Sequence, residues 1–227
     1  MARSEPRWRA MLGGLAALLL LNGCGSSSGD DLWPQYFQIL RQSLHNGFKS
    51  QDITRAQAAA IPYASLGYRV NGGDEALLVL ATDSGAEQIW TAAIHVVLAM
   101  QGGRIVRTVG LPHDRSATIP QGAAALPPLA DALKAPYRST RLIDLPELGA
   151  YSITLDCITT ARGAQTITII GTAIPTTRVD ETCRSANPRW SFTDNYWLNP
   201  QSGFVWHGVT QLAPREIVQF EILRPPG

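Results

Sequence analysis

The sequence predicts an all-β protein, an antiparallel β-barrel with a sandwich as the alternative, preceded by short N-terminal helices. Three observations predict it. From Tyr63 onward apolar residues recur at a period of two, the spacing of a strand with one buried face. The runs are separated by turn signals such as Asn71-Gly-Gly-Asp74, Asp83-Ser-Gly85 and Gln101-Gly-Gly103. Connections this short join antiparallel neighbours, so the strands form a meander.

The chain opens with Arg3, Arg7 and Arg9, an apolar run from Met11 to Leu21, and then Leu21-Asn-Gly-Cys24, the layout of a signal peptide over residues 1–23. The run is too short to span a bilayer. Gly23 before Cys24 and Leu21 three residues upstream resemble the lipobox of bacterial lipoproteins. That resemblance implies cleavage before Cys24 and a diacylglycerol on its thiol. Gly25 follows the cysteine, where Asp would favour the inner membrane, so the implied destination is the outer membrane facing the periplasm. At about 0.8 kcal/mol per buried CH₂, three acyl chains make such an anchor effectively permanent. Gly25-Ser-Ser-Ser-Gly-Asp-Asp31 falls within a flexible tether over residues 24–33.

Removal of residues 1–23 leaves 204 residues with 16 basic and 17 acidic side chains, a single domain's length and a formal charge of −1. Without a basic surplus there is nothing to draw a phosphate backbone, so no nucleic-acid partner is expected. With Cys24 lipidated, Cys157 and Cys183 remain as a pair. In an oxidising compartment a disulfide is their natural state, and two buried free thiols are the alternative.

Residues 34–60 carry the helices. Pro34 can open one, with Phe37, Leu40 and Leu44 at helical spacing and Asn46-Gly47 as its stop. A second follows Ile53, where Thr54 and Gln57 fit a capping box, Ala56 to Ala60 favour helix and Pro62 ends it. Both are placed to plug or cover a sheet edge. The barrel domain spans 61–227. Its strands are expected at 63–70, 76–81, 88–100 and 104–111. A polar stretch from Pro112 to Pro136 follows, with a short helix at 129–134. Strands resume at 137–144, 151–160, 165–173 and around 179–183. Asp194-Asn-Tyr-Trp197 and Phe204-Val-Trp-His-Gly-Val-Thr-Gln211 then flank Asn199-Pro-Gln-Ser-Gly203, a hairpin, before a last strand at 217–223. Pairing outward from Asn199 and Gly203 sets Trp197 near Val205 and Tyr196 near Trp206, with a slip of one residue open. Those rings read either as sheet core or as a sugar-stacking platform, and the core reading is the commoner use of strand aromatics.

Few motifs carry chemistry. His45, His95, His113 and His207 fall on separate elements with no metal-binding spacing, and there is no Gly-x-Ser-x-Gly, Cys-x-x-Cys or phosphate-cradling loop. No metal or cofactor is expected. Asp180, Glu181 and Asp194 are the candidate carboxylates should the protein hydrolyse a glycoside, although acids at strand ends are mostly solvated. Arg104 and Arg107, read as sharing one strand face, can pair with acids or meet an anionic sugar. With Trp197, Trp206 and Tyr196 they make up the candidate ligand or partner contacts.

Several runs taken in order carry a family likeness: Pro62-Tyr-Ala-Ser65, Ala76-Leu-Leu-Val-Leu80, Trp90-Thr91, Gly103-Arg-Ile-Val-Arg-Thr-Val-Gly-Leu111, Asn195-Tyr-Trp197, Gly203-Phe-Val-Trp206 and Gln211. They resemble the YjbF-type lipoproteins, the group 4 capsule polysaccharide lipoprotein family, over roughly residues 52–225. The family pattern often has Ser two residues after the Val-Trp pair, where this chain has Gly208. The resemblance implies an antiparallel β-barrel working in capsule or exopolysaccharide production or export. It also implies an outer-membrane β-barrel protein and a periplasmic protein of the same gene cluster as partners, and it supplies no catalytic residue. The expected role is an accessory factor acting by binding. A polysaccharide-modifying hydrolase and a purely structural assembly partner are the alternatives.

Overall fold

The computed structural model describes residues 53–92 and 95–227; the signal peptide, Cys24, the tether, His45 and the helix expected from Pro34 lie outside them. Twelve strands follow one another among the described residues: β1 (Ser65–Val70), β2 (Ala76–Asp83), β3 (Gln88–Thr91), β4 (Val97–Gln101), β5 (Arg104–Val109), β6 (Ala117–Gln121), β7 (Tyr137–Leu145), β8 (Ala150–Ile169), β9 (Thr172–Ser185), β10 (Trp190–Leu198), β11 (Val205–Ala213) and β12 (Glu216–Arg224). All ladders are antiparallel, in the order β5-β4-β3-β2-β1-β12-β11-β10-β9-β8-β7-β6. Apart from β5 and β6, consecutive strands pair with one another, and β1 closes on β12 with Tyr68 opposite Phe220.

The result is an antiparallel barrel, closed except for a seam between β5 and β6. In place of a ladder the seam is pinned by Thr108 N–H to the Arg115 carbonyl (2.9 Å), Arg115 N–H to Thr108 Oγ1 (2.9 Å) and Thr118 Oγ1–H to the Val106 carbonyl (2.6 Å). Pro120 on the β6 edge has no N–H to offer an incoming strand.

Alternation fills the interior. Along β10, Trp190, Phe192, Asp194, Tyr196 and Leu198 are buried while Ser191 and Thr193 are exposed. The apolar interior falls into two clusters. The larger gathers Leu66, Tyr68, Leu78, Trp90, Leu98, Leu198, Leu212 and Phe220, and takes in Leu129 and Ala132 from a 3₁₀ helix, Leu129–Leu133, where a short helix was expected. The smaller gathers Ile143, Leu145, Ile153, Leu155, Trp190 and Phe192 with Cys157 and Cys183, which are joined as the disulfide. Gly208 faces inward at a close approach: a Cβ there would stand 2.3 Å from Phe220 Cε1, so the ring occupies the space that the Ser of the family pattern would need.

The expected helix after Ile53 is α1 (Arg55–Ala59), with the Thr54–Gln57 capping box formed in both directions. It covers neither edge strand. Ile53 N–H bonds Glu75 Oε2 at the start of β2, and Arg55 Nη2 bonds Thr172 Oγ1 at the start of β9.

Other expectations are corrected. The run expected at 88–100 is two strands, broken by a turn in which Ala92 N–H bonds the Val96 carbonyl and His95 has φ 62°. A strand, β6, lies in the stretch read as polar loop and helix. The strands expected at 151–160 and 165–173 are one strand, β8, which runs unbroken to Ile169 with a bulge between Ala161 and Gly163. The reversal comes at Ile170 and Gly171, both at positive φ as a two-residue hairpin turn requires. The aromatic hairpin closes on Asn199 and Phe204, and a bulge at Trp206 shifts its register. Leu198 pairs with Val205, Trp197 with His207 and Tyr196 with Gly208. Arg104 and Arg107 do not share a face: three residues apart and separated by a bulge, one is buried and the other exposed.

Candidate functional site

Between the two apolar clusters runs a belt of buried polar and charged side chains, placed there by the same alternation. On β9 Glu181 lies between Val179 of the larger cluster and Cys183 of the smaller; on β10 Asp194 lies between Tyr196 and Phe192. The ladders set Tyr137 opposite Thr159, Thr159 opposite Glu181 and Glu181 opposite Asp194, one row across β7 to β10.

Glu181 is the centre of the belt and is fully buried. Oε1 accepts from Arg104 Nε at 2.9 Å and Thr159 Oγ1 at 3.0 Å, and Oε2 from Arg141 Nη2 at 2.8 Å. Burial alone would push its pKa up, but the charges of Arg141 and Arg104 and their hydrogen bonds outweigh that and hold it well below the carboxylate range. Arg104 also donates to the Pro127 carbonyl at 2.6 Å and to the Tyr137 hydroxyl. Burial opposes its charge, and Glu181 more than restores it.

Asp194 lies opposite with weaker partners. It accepts from Gln211 N–H at 2.7 Å, and the Tyr196 hydroxyl is 3.4 Å away. Burial pushes its pKa up to about 6; the Gln211 N–H opposes this and the Glu181 charge adds to it. Burial likewise drives the Tyr196 hydroxyl well above its ordinary value. Arg115, from the β5–β6 connection, donates to the Gln211 and Leu212 carbonyls at 3.1 and 3.0 Å, and burial followed by the Arg141 charge lowers it to about 10.

Two carboxylates with opposed pKa shifts side by side are the pattern of a general acid and a nucleophile. Here neither is more than 1% exposed, and Glu181 is neutralised by two guanidiniums, so no glycosidic oxygen reaches them as the barrel stands. Asp180, the third candidate, faces the other way. It binds Arg162 Nε at 2.9 Å, Arg178 Nε at 2.7 Å and Asn195 Nδ2 at 2.9 Å on the outer side of the sheet.

The remaining candidates divide by face. Tyr196 is interior. Trp206 is half-buried, packed against the larger cluster and edge-on to Phe204 at 5.0 Å. Trp197 lies on the outer face between its cross-strand neighbours, with the Arg178 guanidinium 5.8 Å from its centroid and the His207 ring at 4.7 Å, while its Nε1–H bonds Gln165 Oε1 at 2.8 Å. Both flanks of that ring are taken. Arg107 is half-exposed with Glu87 at 3.8 Å.

Among the described residues one group of metal-ligating atoms lies close together, Cys157, Cys183 and Glu181, but the sulfurs are bonded to each other and the carboxylate is ion-paired. His113 Nδ1 meets Glu216 Oε2 at 3.1 Å, and burial lowers the pKa of His207.

Sequence reasoning named Arg104, Glu181 and Asp194 separately and missed Arg115, Arg141 and Thr159. Arg141 did carry a signal: it keeps phase with Ile143 and Leu145, a charge at an inward strand position. Arg115 sits in a connection and carries none.

The sequence matches, over residues 37–223, the family described as "Group 4 capsule polysaccharide lipoprotein gfcB, YjbF". It is 28% identical over 213 residues to the uncharacterized lipoprotein GfcB of Escherichia coli K12, covering 91% of this chain and 94% of that protein. A shorter match, 30% identical over 94 residues and 40% of each chain, is to the uncharacterized lipoprotein YjbF of the same organism. The crystal structure of the hypothetical lipoprotein YmcC from Escherichia coli K12 has the same fold, with a TM-score of 0.67 at 20% identity over 89% of this chain and all of that one. With most of its length matched, this chain belongs to the YjbF family of group 4 capsule polysaccharide lipoproteins.

Proposed function

We propose that the protein is an accessory lipoprotein of capsule or exopolysaccharide production or export, anchored in the outer membrane through lipid on Cys24, facing the periplasm and acting by binding. Family membership carries the process; the anchor rests on the Leu21-Asn-Gly-Cys24 motif and the polar tether behind it. Binding rather than cutting is supported by the enclosure of Glu181 and Asp194, which serve the barrel's interior. The partners on this reading are an outer-membrane β-barrel protein and a periplasmic protein of the same gene cluster, with the polysaccharide itself as a further ligand. Of the candidate contacts, Arg107 is half-exposed and within such a partner's reach.

The test is Cys24→Ser in cells that depend on this protein for polysaccharide output. The expected result is loss of the protein from the outer-membrane fraction and a fall in exported polysaccharide. Full output from a correctly processed, membrane-free variant would contradict the anchored role.

A further inference from the structure

The β8–β9 hairpin outruns the barrel. β7 begins at Tyr137, opposite Thr159, and β10 ends at Leu198, opposite Thr177, so past these points β8 and β9 are paired only with each other among the described residues. From Gly163 to Thr177 the chain carries no charged side chain. The projecting part is nonetheless held in place: Trp197 Nε1–H bonds Gln165 Oε1 at 2.8 Å, and Arg55 Nη2 bonds Thr172 Oγ1 at 2.6 Å. Ala164, Thr166 and Thr168 are exposed.

The two edges of this hairpin differ. Successive residues of a strand turn their N–H and C=O groups to opposite edges. Pro175, which has no N–H, stands opposite Thr166, and such a residue fits a pair whose backbone groups face away from each other. The neighbouring Gln165 carbonyl confirms the phase, since it accepts from the Thr176 hydroxyl on β9. Thr166, and with it Ala164 and Thr168, therefore turn N–H and C=O to the free edge of β8. Pro175 guards the β9 edge as Pro120 guards that of β6. Between Ala164 and Ile169 the β8 edge has neither proline nor charge, and an open edge of β-prone residues is a template for another strand.

We propose that the strand it takes is the same edge of a second copy of this chain, paired antiparallel about a two-fold axis at Ile167. That axis uses the stretch between the bulge at Gly163 and the turn at Ile170 and Gly171. It sets Ile167 opposite its own copy, Thr166 opposite Thr168 and Gln165 opposite Ile169, with Thr166 and Thr168 exchanging backbone hydrogen bonds across the axis. A two-fold sets a sequence against itself, so any charge near its centre would meet its like. The uncharged run removes that repulsion, which a strand from a different protein would not require. The pairing is independent of what the protein binds, and either reading can fail without the other.

The test is disulfide trapping, which accumulates the pair whatever its affinity. Cells expressing the full chain are treated with a mild oxidant and read on non-reducing gels, with wild type as background. A non-bonded antiparallel pair sets its Cα atoms about 4.5 Å apart, within a disulfide's range. Ile167→Cys is therefore expected to give several-fold more doubled chain than Ser191→Cys, an exposed position on β10. Adding Thr166→Pro, which removes an edge N–H and no bond to β9, is expected to return it to the Ser191→Cys level. If Ile167→Cys does not fold, co-expressed copies bearing Thr166→Cys and Thr168→Cys take its place, because the same axis sets those positions opposite each other. Doubled chain no more abundant than from Ser191→Cys, trapping that survives Thr166→Pro, or an adduct with a different protein in place of the doubled chain would overturn the proposal.

Discussion

The two apolar clusters and the belt between them are built by one rule, alternate residues facing inward, yet they hold the barrel in different ways. In the larger cluster Leu66, Leu78, Trp90, Leu98 and Phe220 contribute through the area they remove from water, and neighbours share any loss. In the belt Arg104, Arg141, Thr159 and Glu181 contribute only as a complete set, because one missing partner leaves another charge buried and uncompensated. The apolar layers thus tolerate variation in size, whereas the belt tolerates little change in charge.

The largest effect expected is from Glu181→Gln, which keeps the shape and removes the charge that both guanidiniums need. A loss of about 3 to 5 kcal/mol is expected from the urea midpoint. A loss as small as that of an ordinary surface change would erase the distinction between belt and core.

The second concerns pH. Asp194, facing Glu181, Tyr196, Arg115 and Arg141, has its pKa raised from 3.8 to about 6, so its ionisation opposes folding. It costs about 3 kcal/mol at pH 7, and that cost disappears as pH falls through 6 toward 4. Glu181 has the opposite sign: its pKa is lowered, and its stabilisation is lost only as pH falls below the ordinary carboxylate range. Stability should therefore rise on mild acidification and fall on stronger. Asp194→Asn should remove the rise and leave the fall, as read from unfolding midpoints between pH 2 and 8. An unchanged profile in the variant would show that another group carries the rise.

The smallest effect probes the apolar side. Gly208→Ala places a methyl against the buried Phe220 ring, and a cost of about 1 to 3 kcal/mol is expected from overpacking. A neutral result would show that the ring has room to move, and that the apolar layer is looser than the belt.

Much of the fold was legible in the sequence because its signals are local. Period-two runs and Gly-rich turns mark most strands, and Thr54 with Gln57 marks α1. What escaped depends on partners distant in sequence. The break expected between residues 160 and 165 closes because β9 continues the ladder past it, and the bulge at Trp206 depends on how Leu198 meets Val205. The belt was half legible. Glu181 and Asp194 stand out as acids beside apolar residues, but Glu181 finds Arg104 77 residues away and Arg141 40 residues away. Sequence spacing does not encode such a meeting.

On the proposed function, this lipoprotein binds polysaccharide and leaves it whole. The direct measurement is the size distribution of the cell's exported polysaccharide after prolonged incubation with the purified mature protein, read together with co-elution of the two. Co-elution with the polymer length unchanged is the predicted result. Shortening of the polymer by wild type, abolished by Asp194→Asn in a folded variant, would contradict the claim and make the belt an active site.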